Sequence, residues 1–292
     1  MMGGWTIGII GGSGLYDVGG IEDGEWVTVA SPWGEPSDAC FTGRVGHARV
    51  VFLPRHGRGH RISPSELNAR ANIDVLKRLG VTDVLAVSSV GSLVEDRPPG
   101  SFTIADQFID RTKGRPSSFF GTGMVAHVSM ADPVCPRLSG LARDAAIRAG
   151  AKVDHGGTYL AMEGPQFSTR AESHLYRGWG CHIIGMTGMP EAKFAREAEL
   201  PYALVGMVTD YDCWREGEEA VDVAQVIAQL GANAEKARAM VMDLLRNLPE
   251  ERPASPIDTC LDTALITAPS ARDPEVLKKL DAVAGRALGV IR

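Results

Sequence analysis

Short apolar runs that stop at glycine, hydroxyl or charged residues recur along this chain, and segments with a helical period lie between them. The stretches from Trp5 to Ile10, Ala48 to Pro54, Val81 to Val90, Ser101 to Ile109, Gly157 to Met162, Cys181 to Met186 and Pro201 to Val208 each read as a buried β-strand. Leu67, Ala71, Val75 and Leu79 share one helical face, with Ser63, Pro64 and Glu66 in capping-box spacing ahead of them and Gly80 behind. Helices are also expected from Leu138 to Ala149, from Ala171 to Trp179 and from Pro190 to about Glu199. The longest begins at Val223 and keeps close to a 3.6-residue period as far as Leu248. Pro249 to Pro256 breaks the pattern, and Asp273 followed by Pro274 opens a last helix expected to reach about Leu288. The segment from Arg111 to Ser129 has no period. It reads as a long surface excursion that covers a site or reaches a neighbouring subunit.

The ends of the strands carry the chemistry. The first runs into Gly11-Gly12-Ser13-Gly14, a turn able to bring backbone N–H groups and a hydroxyl against a phosphate. A dinucleotide fingerprint starting at Gly12 would need glycine at position 17, which is Asp17, and no Gly-Lys-Ser/Thr follows to make a P-loop. The second strand delivers Arg55-His56-Gly57-Arg58-Gly59-His60-Arg61, a cationic loop. Arginine there can hold an oxyanion in bidentate fashion; the alternative is a solvated basic loop. Ser89-Val90 and Met186-Thr187 place hydroxyls after two further strands. The strand ending at Val208 leads into Thr209-Asp210-Tyr211-Asp212. Two carboxylates one residue apart can hold a polar heterocycle and protonate it, or can merely cap the helix that follows. Ligands of open α/β sheets sit at the carboxyl ends of the strands. An anion cradle and an acid pair together suggest a displacement in which phosphate attacks and a protonated base leaves.

Composition narrows the partners. A chain of 292 residues, 44% hydrophobic and 23% charged, is long enough for one large α/β domain over residues 1–292, with a C-terminal extension and helix from about residue 250. A net charge of −6 argues against nucleic-acid binding, which wants a basic face. Cys40, Cys135, Cys181, Cys213 and Cys260 are scattered with no Cys-x-x-Cys, and the histidines are not spaced as ligands. No metal site or disulfide framework is therefore expected, and a reducing compartment fits. No leader precedes the first strand and no apolar run has membrane length, so a cytoplasmic location without membrane contact is expected.

Ile9-Ile10-Gly11-Gly12-Ser13-Gly14, Arg55-His56-Gly57 with His60-Arg61, Asn68-x-Arg70-Ala71-Asn72, Glu163-Gly164-Pro165 and Met186-Thr187, in this order, resemble the trimeric purine nucleoside phosphorylase family. Thr209-Asp210-Tyr211-Asp212-Cys213-Trp214 is similar to its 5′-methylthioadenosine phosphorylase branch. The resemblance implies a mixed central β-sheet flanked by helices, a homotrimer, inorganic phosphate as co-substrate and no cofactor. It implies that Ser13, Arg55, His56, Ser89, the backbone of Val90, and Thr187 bind phosphate. Met186 would lie against the ribose, Phe167 near the purine, and Thr209, Asp210 and Asp212 would take the nucleoside base, the two acids being catalytic. Val223, Val226 and Ile227 would line the methylthio end, His127 would come from the neighbouring subunit, and Ser168 would tune substrate preference. One departure bears on the base: Gly185 stands where the mammalian type has Asn, as in the methylthioinosine branch. A 6-aminopurine offers a donor that Asp210 accepts, whereas a 6-oxopurine offers an acceptor that a carboxylate repels. A mismatched buried site is worth several kcal/mol, so the acids favour adenine over the 6-oxopurine reading. A non-catalytic nucleoside sensor and an NAD-linked dehydrogenase are the readings from other classes.

Overall fold

Eleven strands join into one hydrogen-bonded sheet among the residues that the computed structural model describes, 4–12, 20–215 and 223–289. Strands β1 (Thr6–Gly11), β2 (Glu22–Val27), β3 (Cys40–Val45) and β4 (Ala48–Pro54) form one wing in the order β2-β3-β4-β1. β1 runs parallel to β4 and to β5 (Asp83–Ser92), while β3 is antiparallel to both of its neighbours. Helix α1 (Ala69–Arg78) makes the crossover from β4 to β5.

Beyond β5 follow β6 (Ser101–Ala105), β7 (Gln107–Asp110), α2 (Pro136–Arg148), β8 (Lys152–His155), β9 (Thr158–Ala161), α3 (Arg170–Gly178), β10 (Ile183–Gly185), α4 (Gly188–Glu197), β11 (Tyr202–Asp210), α5 (Val223–Arg246), α6 (Pro274–Lys279) and α7 (Asp281–Ala284). β5 is the hub. β11 pairs with it in parallel from Val84 to Gly91, and β10 pairs antiparallel at Gly91 and Ser92. Gly91 faces both, so β10 occupies the edge that β1 has left after Val87. β11 also pairs with β6, β7 with β9, and β9 with β10. Because β6 continues through Asp106 into β7, the sheet curls back on itself and returns to β5. The single strand expected from Ser101 to Ile109 is thus two strands bent at Asp106. Its partner bends at Gly156 and Gly157, whose φ values of +90° and +123° suit glycine.

Side chains alternate across the sheet. Val84, Ala86, Leu204 and Val208 face a core shared with α1, α4 and α7, including Leu76, Phe194 and Val283. Leu85, Val87, Val205 and Met207 face a second core with α2 and α5, including Leu138 and Val241. A strand buried on both faces must read as an unbroken apolar run, which is why β5 and β11 were legible.

Other expectations shift. Ser63 does not cap α1. Its hydroxyl donates to Glu66 Oε2 (2.7 Å), the turn Pro64–Glu66 is 3₁₀, and the extended Leu67 (φ −62°, ψ 123°) separates it from the helix. Asn68 caps instead, accepting from Ala71 N at 3.0 Å. Asp273 caps as expected, but the last helix breaks at the buried Leu280 into α6 and α7. The C-terminal extension is tied to the start of β5 by Arg252, which reaches Asp83 (2.5 Å) and Asp258 (2.7 Å). β2, exposed at five of six positions, and the short β8 were not expected, because neither presents an apolar run.

Candidate active site

The acid pair is set by a bulge. Val208 pairs with Val90 and Asp210 with Gly91, so Thr209 is the extra residue on β11, and a bulge of this kind re-aims the side chain beside it. Thr209 Oγ1 lies 2.7 Å from Asp210 Oδ2 and 3.2 Å from Val90 O, and Asp212 N donates to Asp210 Oδ1 at 2.8 Å. A Cβ on Gly91 would stand 2.8 Å from Asp210 Oδ1, so the carboxyl occupies room that only glycine leaves. Asp212 adopts φ +54°, a left-handed conformation that aspartate tolerates. The loop beyond is pinned to β5 by Trp214, whose indole N–H donates to Ser92 O (2.8 Å) and whose ring lies 3.5 Å beneath the Arg177 guanidinium.

Burial raises the pKa of both acids above the ordinary carboxylate value. At Asp210 burial acts against the stabilising contacts from Thr209 and the Asp212 amide. At Asp212 burial is joined by the negative charge of Asp210, with Ser173 of α3 opposing. The like-charge effect within the pair thus falls on Asp212. Asp212 Oδ2 is buried without a hydrogen-bond partner among the described residues.

The cationic loop leads out of β4 beside β1. Arg55 is 1% exposed. Its Nε and Nη2 grip Glu191 of α4 (3.0 and 3.2 Å), Nη1 donates to Val87 O (2.8 Å) and Nη2 to Ile10 O (3.2 Å). Four of the five N–H groups are thus spent on protein, and the bidentate edge expected for an anion holds a carboxylate instead. Burial works against the guanidinium charge, but Glu191 outweighs it and holds the Arg55 pKa up. Tyr202 completes the network, donating to Glu191 Oε1 at 2.9 Å. His56 is buried, bonded through Nδ1 to Ile62 O (3.0 Å) and stacked on His60 at 4.3 Å. Burial pushes its pKa down to about 4, so at neutral pH it is an uncharged imidazole.

The two ends meet along β5. Arg55 bonds Val87 O, Ser88 Oγ lies 3.3 Å from Thr187 Oγ1, Ser89 pairs with Met207, and Val90 O faces Thr209. Arg55, Thr187, Thr209 and Asp210 therefore meet Val87, Ser88, Val90 and Gly91, all within five residues of one strand.

Met186 packs on Gly164, where a Cβ would come within 2.5 Å of its sulfur. Ser168 touches the acid loop through its carbonyl, which accepts from Cys213 Sγ at 3.2 Å. Phe167 is 47% exposed, so it is no core phenylalanine in this chain. His127 sits on the excursion, lining a surface cavity of about 430 Å³ with Lys193 and Glu197; none of the other expected site residues lines it. Ser13 and the side chains of Val223, Val226 and Ile227 lie outside the described residues.

Several positions were missed as parts of the site. Glu191 fell within the helix expected from Pro190, and Tyr202 and Tyr159 within expected strands. Arg115, from the excursion, donates to both Glu163 carboxylate oxygens (3.1 and 3.0 Å) and to Met186 O (2.8 Å). Nothing in the local pattern signals these, because their partners are 11 to 136 residues away.

A curled mixed α/β sheet with half-buried acids at one strand end and hydroxyls at its neighbours is the architecture of a nucleoside phosphorylase. A family model described as the phosphorylase superfamily matches residues 6–246, and the chain belongs to that family. Among relatives, the S-methyl-5′-thioadenosine phosphorylase of Cereibacter sphaeroides is 59% identical over 284 residues, covering 97% of this chain and 98% of its own. A crystal structure of a methylthioadenosine phosphorylase from an antarctic soil metagenomic library superposes with a TM-score of 0.91 at 46% identity, covering 96% of this chain and 99% of that one. A mutant adenosine/methylthioadenosine phosphorylase from Schistosoma mansoni, in complex with methylthioadenosine, superposes with a TM-score of 0.76 at 38% identity, over 82% and 90% of the two chains.

Proposed function

We propose that this chain catalyses the reversible phosphorolysis of 5′-methylthioadenosine to adenine and 5-methylthioribose 1-phosphate. The observation that carries the reading is the acid pair: two half-buried carboxyls with raised pKa at the end of β11, one strand away from the Ser88–Thr187 hydroxyls. The names carried by relatives of nearly the same length support it.

Phosphate would bind at Ser13, His56, Ser89, the Val90 backbone and Thr187, with Arg55 adding its remaining Nη1–H. Because Glu191 neutralises Arg55 and His56 is uncharged, hydroxyl and amide donors carry more of this task than a cationic loop would suggest. Phosphate attacks C1′ from the face opposite the base through an oxocarbenium-like state. Asp210 gives or shares a proton with N7, and Asp212 accepts from the base. A carboxyl that burial keeps protonated to higher pH suits a general acid. Met186 would face the ribose and Phe167 the purine, with Thr209 holding Asp210 in place. Ser168 would tune preference, and Val223, Val226 and Ile227 would meet the methylthio group. His127 would serve a neighbouring subunit of a homotrimer. No metal or cofactor is assigned, phosphate being the co-substrate. No described helix is long and apolar enough to cross a membrane, and a cytoplasmic location is proposed.

The test is release of free base from methylthioadenosine and from inosine, each with phosphate. Adenine release well above hypoxanthine release is expected. The reverse order would transfer the chain to the 6-oxopurine reading, and no release of either base would make it a sensor.

A further inference from the structure

Gly185 is the residue whose sequence context pointed away from adenine, and the structure supplies a different reason for it. A Cβ at Gly185 would stand 2.1 Å from the phenol oxygen of Tyr159 and 2.8 Å from its Cζ. Tyr159 cannot retreat. It is fully buried, its ring lies 5.4 Å from that of Phe108, and it also packs against Gly188, whose Cβ would come 3.1 Å from Tyr159 Cε1. The phenol oxygen accepts from Thr187 N at 3.3 Å and Gly188 N at 3.4 Å.

Those two amides belong to the turn that presents Thr187. Within α4, Met189 is extended (φ −121°, ψ 140°), so regular helix begins at Pro190, which has no N–H to offer, and Thr187 makes no side-chain cap bond. The phenol, and not the threonine hydroxyl, thus satisfies the buried amides of the turn. Thr187 Oγ1 is left beside Ser88 Oγ, 3.3 Å away. A buried N–H without a partner is costly enough to move a segment. The phenol therefore fixes where Thr187 stands.

We propose that Tyr159 is a positioning residue for the phosphate end of the site, acting through Thr187, and that Gly185 is glycine to admit its phenol, so that neither residue selects the purine base. This rests on the phosphorolysis reading above, in which Thr187 contacts phosphate. Base selection then belongs to Asp210, at the end of β11, and Asp212, in the loop after it, and the Gly185-Met186-Thr187 segment sets phosphate affinity.

The experiment uses the full-length enzyme, with KM for phosphate, KM for methylthioadenosine, and the ratio of kcat/KM between methylthioadenosine and inosine measured on each variant. Tyr159→Phe removes the acceptor from both amides. It is expected to raise KM for phosphate roughly ten-fold and to leave KM for the nucleoside and the base ratio within about two-fold. Gly185→Ala presses on the phenol from the other side and should act in the same sense, which keeps the question open to test if Tyr159→Phe fails to fold. A merely structural role would lower the amount of active enzyme without separating the two KM values. A folded variant whose phosphate KM is unchanged, or whose preference moves toward inosine, would overturn the assignment. The parent enzyme tests the underlying reading separately. A parent that releases no base with phosphate refutes the proposed function, whereas an active parent with insensitive variants refutes only the role of Tyr159.

Discussion

Replacing Glu191 by glutamine keeps the shape of the side chain and deletes the only carboxylate bonded to Arg55 among the described residues. The carboxylate accepts three hydrogen bonds, from Arg55 Nε, Arg55 Nη2 and Tyr202 Oη. An amide has one oxygen for them and turns its own N–H₂ toward a donor. Arg55, 1% exposed, cannot move to water and cannot discharge at any ordinary pH. A buried pair broken from one side typically loses about 3–5 kcal/mol. In a chain of this size each kcal/mol moves the midpoint by roughly 2–4 °C, so the thermal unfolding midpoint should fall by roughly 6–20 °C. Phosphate gives the sharper readout. With the bidentate edge of Arg55 released, an anion can supply the missing counter-charge, so added phosphate should raise the midpoint of Glu191→Gln more than that of the parent. Removing both charges together, as Arg55→Met with Glu191→Met, should recover part of the loss because no ion is left unpaired. The assay is thermal unfolding at fixed protein concentration, with and without phosphate. A fall below about 2 °C, with phosphate protection equal to that of the parent, would refute the view that this pair holds the loop and masks the arginine.

Two other outcomes follow from the titrating groups. Asp210→Asn should lower methylthioadenosine turnover by about 10²–10⁴-fold. Because burial raises the Asp210 pKa in the folded state, its ionised form is a liability above that pKa, which fades as pH falls from there toward the unfolded value and is absent below it. The variant should therefore melt above the parent at pH 8, with the gap closing toward pH 4 in unfolding scans; full turnover, or a variant less stable at pH 8, would contradict this. His56 titrates near 4 when folded and near 6.5 when unfolded, so stability is complete above 6.5 and should be lost by roughly 3 kcal/mol as pH falls toward 4. His56→Asn should flatten that limb of a urea-midpoint profile, and an unchanged slope would remove burial of His56 as its cause.

The strands and helices that place the site were largely legible, and for a local reason. The stretches Val50 to Pro54 of β4, Val84 to Val87 of β5 and Ala203 to Val208 of β11 are covered on both faces, so each reads as a run without a charged or hydroxyl side chain, and the residues that end each run are adjacent to it in sequence. Arg55-His56, Ser89-Val90, Thr187 and the Asp210–Asp212 pair could be picked out for that reason before any coordinate was known.

What neighbours each of these groups was settled only by the fold. Whether Arg55 offers a fork to an anion depends on Glu191, 136 positions further along the chain. Whether Gly185 speaks to the base or to a phenol depends on Tyr159, brought beside it by the β9–β10 ladder. The protonation bias of Asp210 comes from burial, and its placement from a bulge against Gly91, neither of which has a local signature. A sequence determines which groups are present and, through hydrophobic period, which segments are buried. Desolvation, hydrogen-bond occupancy and steric room depend on contacts between distant segments, and these exist only after the sheet has closed on itself.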